Sequence, residues 1–188
     1  SGTTTTTTGG TNGLRGLNSY TSAGTSAYGS SGYAITDGIH SIATVSQAGA
    51  SIAYDDIVNT ANALPAPYWS LAGTAWMMHP STIQALRKLK GSTGGAPMFV
   101  EVGDDDGGAV AYIAGFPVIP NPNMDTIGNG KFSVYLANWS RFVTIADVEE
   151  MTVQAMEQTQ AGFITLFAEK RMVSTVRDPF AGVRLVGV

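Results

Sequence analysis

Thr74-Ala-Trp-Met-Met78 is an uninterrupted apolar run, and Ile83, Ala85, Leu86 and Leu89 follow it at helical spacing. Five consecutive apolar-facing positions predict a short strand buried on both faces. His79-Pro80 ends that strand and opens a helix, with Pro80 at the first helical position, where its missing N–H is not needed. Arg87, Lys88 and Lys90 place positive charge at the helix C-terminus, and Gly91 supplies the cap. A second helix is predicted upstream. Asp55 and Asp56 sit at its positive end, Ile57, Val58, Ala61 and Leu64 form its apolar stripe, and Pro65 stops it.

The rest of the pattern predicts strands and loops. Tyr33 to Thr36, Ser41 to Val45, Met98 to Val102, Lys131 to Leu136, Phe142 to Ala146 and Met151 to Met156 have strand length and composition. Gly13-Leu-Arg-Gly-Leu-Asn18 predicts an ordered turn anchored by Leu14 and Leu17, and Ser19 to Gly32 a loop. Gly115-Phe-Pro-Val-Ile-Pro-Asn-Pro-Asn123 must be extended, because each proline pushes its predecessor out of the helical region. Met124 to Gly130 reads as a loop and Asn138-Trp139-Ser140 as a turn.

The C-terminal stretch is unusual. Phe163 to Val176 predicts one strand of about 14 residues, roughly 46 Å at about 3.3 Å per residue. That is about twice the common strand length. Glu169, Lys170 and Arg171 fall in its middle, which suits an extended lobe lying along neighbouring subunits rather than a closed core. Arg177-Asp178-Pro179 breaks it, and Phe180 to Val188 predicts a second strand.

Composition sharpens this picture. The 188 residues can bury a sizeable core, and 44% are hydrophobic. Only 13% are charged, against about 25% in ordinary soluble domains. Either large subunit interfaces cover the surface, since interface cores are depleted in charge, or Ser and Thr supply its polarity. A net charge of −4 gives no electrostatic case for a dedicated DNA-binding protein. The absence of cysteine removes disulfides, thiolate zinc sites and thiol nucleophiles. No apolar run reaches the roughly 18 residues of a membrane span. The start, Ser1-Gly2 with Thr3 to Thr8, lacks the basic and apolar regions of a signal peptide and reads as a low-complexity lead-in over 1–9.

Candidate chemistry is sparse. Asp104-Asp-Asp106-Gly107-Gly108 invites a calcium loop, but the twelfth position of an EF-hand starting at Asp104 is Gly115, not a carboxylate. His79 reads as a helix-entry residue, and His40 has no carboxylate motif around it. Nucleophile-elbow, S-x-x-K and H-E-x-x-H motifs are missing, and Gly91 to Gly95 lacks the ending of a phosphate loop. Asn138-Trp139-Ser140 matches a glycosylation sequon but reads as a turn. Trp76, Trp139, Met77 and Met78 read as core. No catalytic, metal or cofactor-binding residue is expected. Glu169, Lys170, Arg171, Arg177 and Asp178 form the densest charge cluster: either a solvated strand face or inter-subunit pairs that fix register.

Four segments in order carry a resemblance. They are the apolar strand into His79-Pro80-Ser81-Thr82; Gly115-Phe-Pro-Val118; Ser133-Val-Tyr-Leu-Ala-Asn-Trp139 with Thr144-Ile-Ala-Asp147; and Phe163 through Glu169-Lys-Arg171 to Arg177-Asp-Pro-Phe-Ala181. Together they resemble the C-terminal part of tailed-phage major capsid proteins of the HK97 fold. Arg171 to Pro179 and Ala181 approximate that family's terminal R-x-x-x-x-V-x-x-P-x-A-F pattern, whereas Leu136-Ala137-Asn138 replaces its usual glycine–aspartate. Gly13 to Asn18 resembles the Gly-Leu turn after the family's spine helix. The match runs over about residues 10–188, and the N-terminal arm, extended loop and spine helix have no counterpart.

The resemblance implies an α+β fold: an axial domain over 33–146 and part of a peripheral domain over 10–32 and 147–188. It implies a non-enzymatic shell protein of a tailed phage or prophage, assembled in the host cytoplasm. Its copies would form hexamers and pentamers of an icosahedral head around double-stranded DNA. It implies no cofactor and no membrane. Further partners would be other capsid, scaffold or portal proteins, and DNA touched weakly. Inter-subunit contacts would fall on Glu169, Lys170, Arg171, Arg177 and Asp178. An encapsulin-like nanocompartment shell is the alternative within the same fold. A secreted adhesin-type module or a small hydrolase are alternatives outside it.

Overall fold

The computed structural model describes residues 15–25, 27–28, 35–36, 39–89, 101–103, 109–156 and 164–188. Its centre is a mixed eight-stranded sheet. In chain order the strands are β1 (Ser22–Ala23), β4 (Ile42–Ser46), β5 (Thr74–Met78), β6 (Glu101–Gly103), β7 (Ala109–Ile113), β8 (Phe116–Pro120), β9 (Phe132–Asn138) and β12 (Gly182–Val186). Their spatial order is β1-β4-β12-β9-β5-β8-β7-β6. Two further pairs lie outside this sheet: β2 (Ile35–Thr36) with β3 (Ile39–His40), and β10 (Val143–Met156) with β11 (Thr165–Val176).

The most apolar runs occupy the middle of this sheet. From Ser133 to Asn138 every residue of β9 is buried, as is β12 from Gly182 to Leu185. Strands covered on both faces read as continuous apolar runs rather than alternating ones. Trp76 of β5 is fully buried, and its indole N–H donates to the Ile113 carbonyl at 2.8 Å. That bond ties β5 to the end of β7 across the intervening β8.

Two helices flank the sheet, α1 (Tyr54–Ala63) and α2 (Pro80–Arg87). In α1 the apolar stripe is buried at Ile57, Ala61 and Leu64, while Val58 is half-buried. Asp56 is buried as well. Its carboxylate accepts the Ala53 N–H at 2.8 Å and the Ala48 N–H at 3.0 Å, so it caps the helix and pins the preceding loop. His79 caps α2, its ring accepting the Ser81 N–H at 3.0 Å, and Ile83 and Leu86 point into the core.

Ala114 and Gly115 make the two-residue turn between β7 and β8, with φ of 49° and 85°. Two positive φ values match the twist of a hairpin, and glycine is suited to them. Gly115 of the Gly-Phe-Pro-Val segment is therefore a turn residue.

Several expectations change. The strands expected over Phe142–Ala146 and Met151–Met156 are not separate; Val143–Ala146 and Met151–Met156 lie in the single β10, whose register slips between Asp147 and Glu149 and again between Glu149 and Thr152, and Phe142 precedes it. Such slips insert an extra residue and preserve pairing on both sides. The turn at Asn138–Ser140 is the start of a one-turn helix, α3 (Trp139–Phe142). Ser22–Ala23, expected as loop, pairs in parallel with β4. Residues 147–188 contribute strands to two sheets. β10 and β11 stand apart as a pair, but β12 lies inside the large sheet between β4 and β9. Leu14, Met98–Val100, the Gly91–Gly95 link and the Asp104–Gly108 turn lie outside the described residues.

Candidate functional site: a two-stranded arm and its root

β10 and β11 pair antiparallel from Val143↔Val176 at the root to Met156↔Thr165 at the far end. Apart from its root the ribbon is exposed on both faces. Among the described residues, nine of the fifteen large exposed hydrophobic side chains lie between Ile145 and Val173, including Ile145, Met151, Leu166 and Ile164, each over 60% exposed. A soluble domain does not normally gather so much apolar surface on one element without a partner for it.

Residues paired across the ladder share a face. Ile145, Val153, Leu166 and Met172 fall on one face with Lys170 and Asp147, whose side chains meet at 3.0 Å. The other face carries Arg171 between Glu149, at 3.4 Å, and Glu169, at 2.9 Å, with Phe167 and Val173 nearby in the register. The two carboxylates push the Arg171 guanidinium above its usual range, Glu169 most strongly through its hydrogen bond. All of these charges are exposed or nearly so, and such pairs contribute little to stability.

The five charged residues singled out in the sequence do not form one cluster. Glu169, Lys170 and Arg171 lie along the arm, whereas Arg177 and Asp178 lie at its root. Asp178 is held within its own chain. It accepts the Tyr68 hydroxyl at 2.5 Å and caps the short turn Pro179–Ala181 by accepting the Phe180 N–H at 3.1 Å. Burial, reinforced by the Asp178 carboxylate, pushes the Tyr68 hydroxyl far above its usual pKa. The Arg177 backbone N–H donates to the Phe142 carbonyl at 2.9 Å, and its side chain is exposed.

The root is packed as well as bonded. Phe142 is fully buried and meets the Trp139 ring edge-on at 6.0 Å. The Trp139 indole donates to the Ala75 carbonyl at 3.0 Å. Asn138 is buried, with its amide donating to the Ala72 carbonyl and the Thr74 hydroxyl, so the sequon there is a structural bracket.

Sequence reasoning missed Arg184. It is fully buried in β12, its guanidinium 3.8 Å from the centre of the Phe132 ring. It donates to Thr44 Oγ1, Ser22 Oγ and the carbonyls of Leu17 and Tyr20, all at 2.7–3.0 Å. Tyr135, 3.5 Å away, links it through Asn18 to the Asp125 carboxylate. Burial pulls the Arg184 pKa down, opposed by Tyr135; burial also pushes Tyr135 up, opposed by the Arg184 charge. A single arginine in an otherwise apolar strand was the available signal.

An open groove of about 290 Å³ lies between α1 and the β7–β8 turn, lined by Tyr54, Val58, Ala61, Asn62, Trp69, Ala114 and Phe116. Among the described residues, no helix is long and apolar enough to cross a membrane, and no group of three acidic or histidine side chains could hold a metal ion.

The amino-acid sequence matches the model of the phage capsid family over residues 4–186. The chain belongs to the phage capsid family. No curated protein matches it. Among solved structures, this capsid-family chain resembles the capsid of an empty GTA particle with a TM-score of 0.67 at 23% identity, over 92% of this chain and 56% of that one. It resembles the native GTA capsid with a TM-score of 0.64 at 22% identity, over 85% and 55% of the two chains. It also resembles the SrpI encapsulin of Synechococcus elongatus PCC 7942, with a TM-score of 0.50 at 18% identity, over 81% and 54%. The capsid-family chain thus spans about half the length of these structures, and its fold is the HK97-like capsid fold. The adhesin-type alternative gives way to this assignment.

Proposed function

We propose that this chain is the shell-forming part of the major capsid protein of a tailed phage or prophage, which assembles from many copies into hexamers and pentamers of a closed icosahedral head around double-stranded DNA. The observation that carries the reading is the arm: a ribbon exposing apolar side chains on both faces, in a chain of the phage capsid family. A two-stranded ribbon is at best marginally stable alone in water, and burial against other copies would supply what its own packing does not. The eight-stranded sheet with α1 and α2 is the axial domain in this reading, and it takes in β12. The arm is the peripheral element. The role is structural, and scaffold and portal proteins are further partners.

On the arm, Glu149, Glu169 and Arg171 set register with a neighbouring copy, and the face of Ile145, Val153, Leu166 and Met172 supplies buried area. Arg177 joins the contacts from the root. Asp178 serves them indirectly, by fixing the root through Tyr68.

The test uses the full-length protein. Arg171→Glu and Leu166→Asp should each sharply reduce particle yield, while the circular dichroism of the soluble chain stays that of the parent. Unchanged yield in both would remove the arm from assembly. Nuclease treatment then separates contents: protected DNA supports a phage head, and empty or enzyme-loaded shells support the encapsulin alternative.

A further inference from the structure

Residues Arg15–Ala23 touch two parts of the molecule, the root of the arm and the large sheet. On one side is the arm root. Ser174 Oγ of β11 donates to the Arg15 carbonyl at 3.1 Å, and the Val176 N–H donates to the Tyr20 hydroxyl at 3.2 Å. On the other side is the sheet. Arg184 Nη1 reaches the Leu17 carbonyl at 3.0 Å, and Nη2 reaches the Tyr20 carbonyl at 2.7 Å and Ser22 Oγ at 2.9 Å. Ser22 and Ala23 then join β4 as a parallel strand, and the Ile42 N–H donates to the Thr21 carbonyl at 2.9 Å.

We propose that Arg15–Ala23 is a strap that sets the bearing of the arm on the sheet, and that Arg184 is its latch. The chemistry favours one residue for several bonds. A guanidinium is planar, carries five N–H donors in a fixed fork and holds its charge, so it can grip the carbonyls of a tight turn together. Thr44 Oγ1 fixes Nε from within the sheet, and the Phe132 ring lies against the guanidinium plane, so the fork is aimed before the strap arrives. If the strap lifted, the donors that now meet Leu17, Tyr20 and Ser22 would lose their acceptors in a buried site. Leaving buried donors unpaired is costly, so the strap closes or opens as a unit. The arm follows it, because the strap's contacts on β11, Ser174 and Val176, lie at the root while the remainder of the ribbon projects away. This coupling does not depend on assembly and would exist in a single chain.

The chain has no cysteine, so cysteines introduced at the exposed Gln154 on the arm and Gln84 on α2 are unique labelling sites. Spin-labelled full chain, diluted with unlabelled chain, gives the distance distribution between arm and sheet by double electron–electron resonance. Arg184→Met opens the latch; the double variant Tyr20→Phe with Ser174→Ala cuts the strap from the arm and leaves the latch intact. Both should broaden the distribution at least twofold, while amide exchange in β9 stays as slow as in the parent. Should Arg184→Met fail to fold, the double variant decides alone. An unchanged distribution in the double variant, or broadening that appears only with loss of β9 protection, overturns the proposal.

Discussion

The ring of Phe142 fills the place that a side chain on Gly182 would need. A Cβ there would lie 2.5–2.7 Å from three ring carbons of a side chain that is itself fully buried. The two residues lie where the chain leaves the sheet for the arm and where it returns, so their contact sets how closely those crossings approach. Forcing one methyl into such a site typically costs about 1–3 kcal/mol. Gly182→Ala should therefore lower the stability by about that amount in chemical denaturation. Gly187→Ala should cost more, because its Cβ would stand 2.1 Å from the Gly128 carbonyl oxygen, a backbone atom that cannot rotate away.

The turn at Ala114 offers the opposite sign. Its φ of 49° lies in the left-handed region, where non-glycine residues carry strain of about 1 kcal/mol or more. Ala114→Gly relieves that strain while giving the unfolded chain more freedom, which offsets part of the gain, and Ala114→Asn relieves it with a smaller offset. Each should raise the denaturation midpoint, by roughly 0.5–1 kcal/mol in stability. A lowered midpoint in both would show that the alanine methyl packs better than its surroundings suggest.

Tyr68 makes stability sensitive to alkali. Its hydroxyl is buried against the Asp178 carboxylate, so its folded pKa lies above the unfolded value of 10.0. A raised pKa means that the unfolded chain gives up the proton first. The contribution is whole below pH 10 and is lost progressively as the pH rises beyond it, with a slope of up to about 1.4 kcal/mol per pH unit. Tyr135 adds a loss of the same sign. Denaturation midpoints measured at rising pH should fall above pH 10, and Tyr68→Phe should flatten that fall while lowering stability near neutrality.

Asp56 should matter as the cap of α1. It is buried and holds two backbone N–H groups, from Ala53 and Ala48. Asp56→Ala removes both bonds; Ala48 and Ala53 are themselves exposed, so the loss should be that of a helix cap, about 0.5–2 kcal/mol. Asp56→Asn keeps one acceptor oxygen and should recover part of the loss in the same denaturation assay.

What could be read from the sequence follows from how local each cause is. The Thr74–Met78 strand and the helix from Pro80 depend on neighbours within a turn or two, and both appear where the pattern places them. The extended strand ending at Val176 was legible from length alone. Its partner β10 reads as two strands in the sequence because Val148–Glu150, where the register slips, lack strand-like composition. Nothing near Asp178 in the chain points to its hydrogen-bond partner Tyr68, 110 positions away. Arg184 went unread for the same reason: its partners Leu17, Tyr20, Ser22 and Thr44 lie at the other end of the sequence. Long-range polar contacts leave no periodicity. β12 follows β11 directly in the chain, and its apolar run at Gly182–Leu185 matches the interior of a sheet covered on both faces.

The central claim is that the full-length protein builds a closed shell from copies of this fold. Negative-stain electron microscopy of the purified full-length protein tests it most directly. Closed, uniform icosahedral particles are expected. A solution containing only single chains or small open oligomers, at concentrations where the protein is folded, would contradict the account.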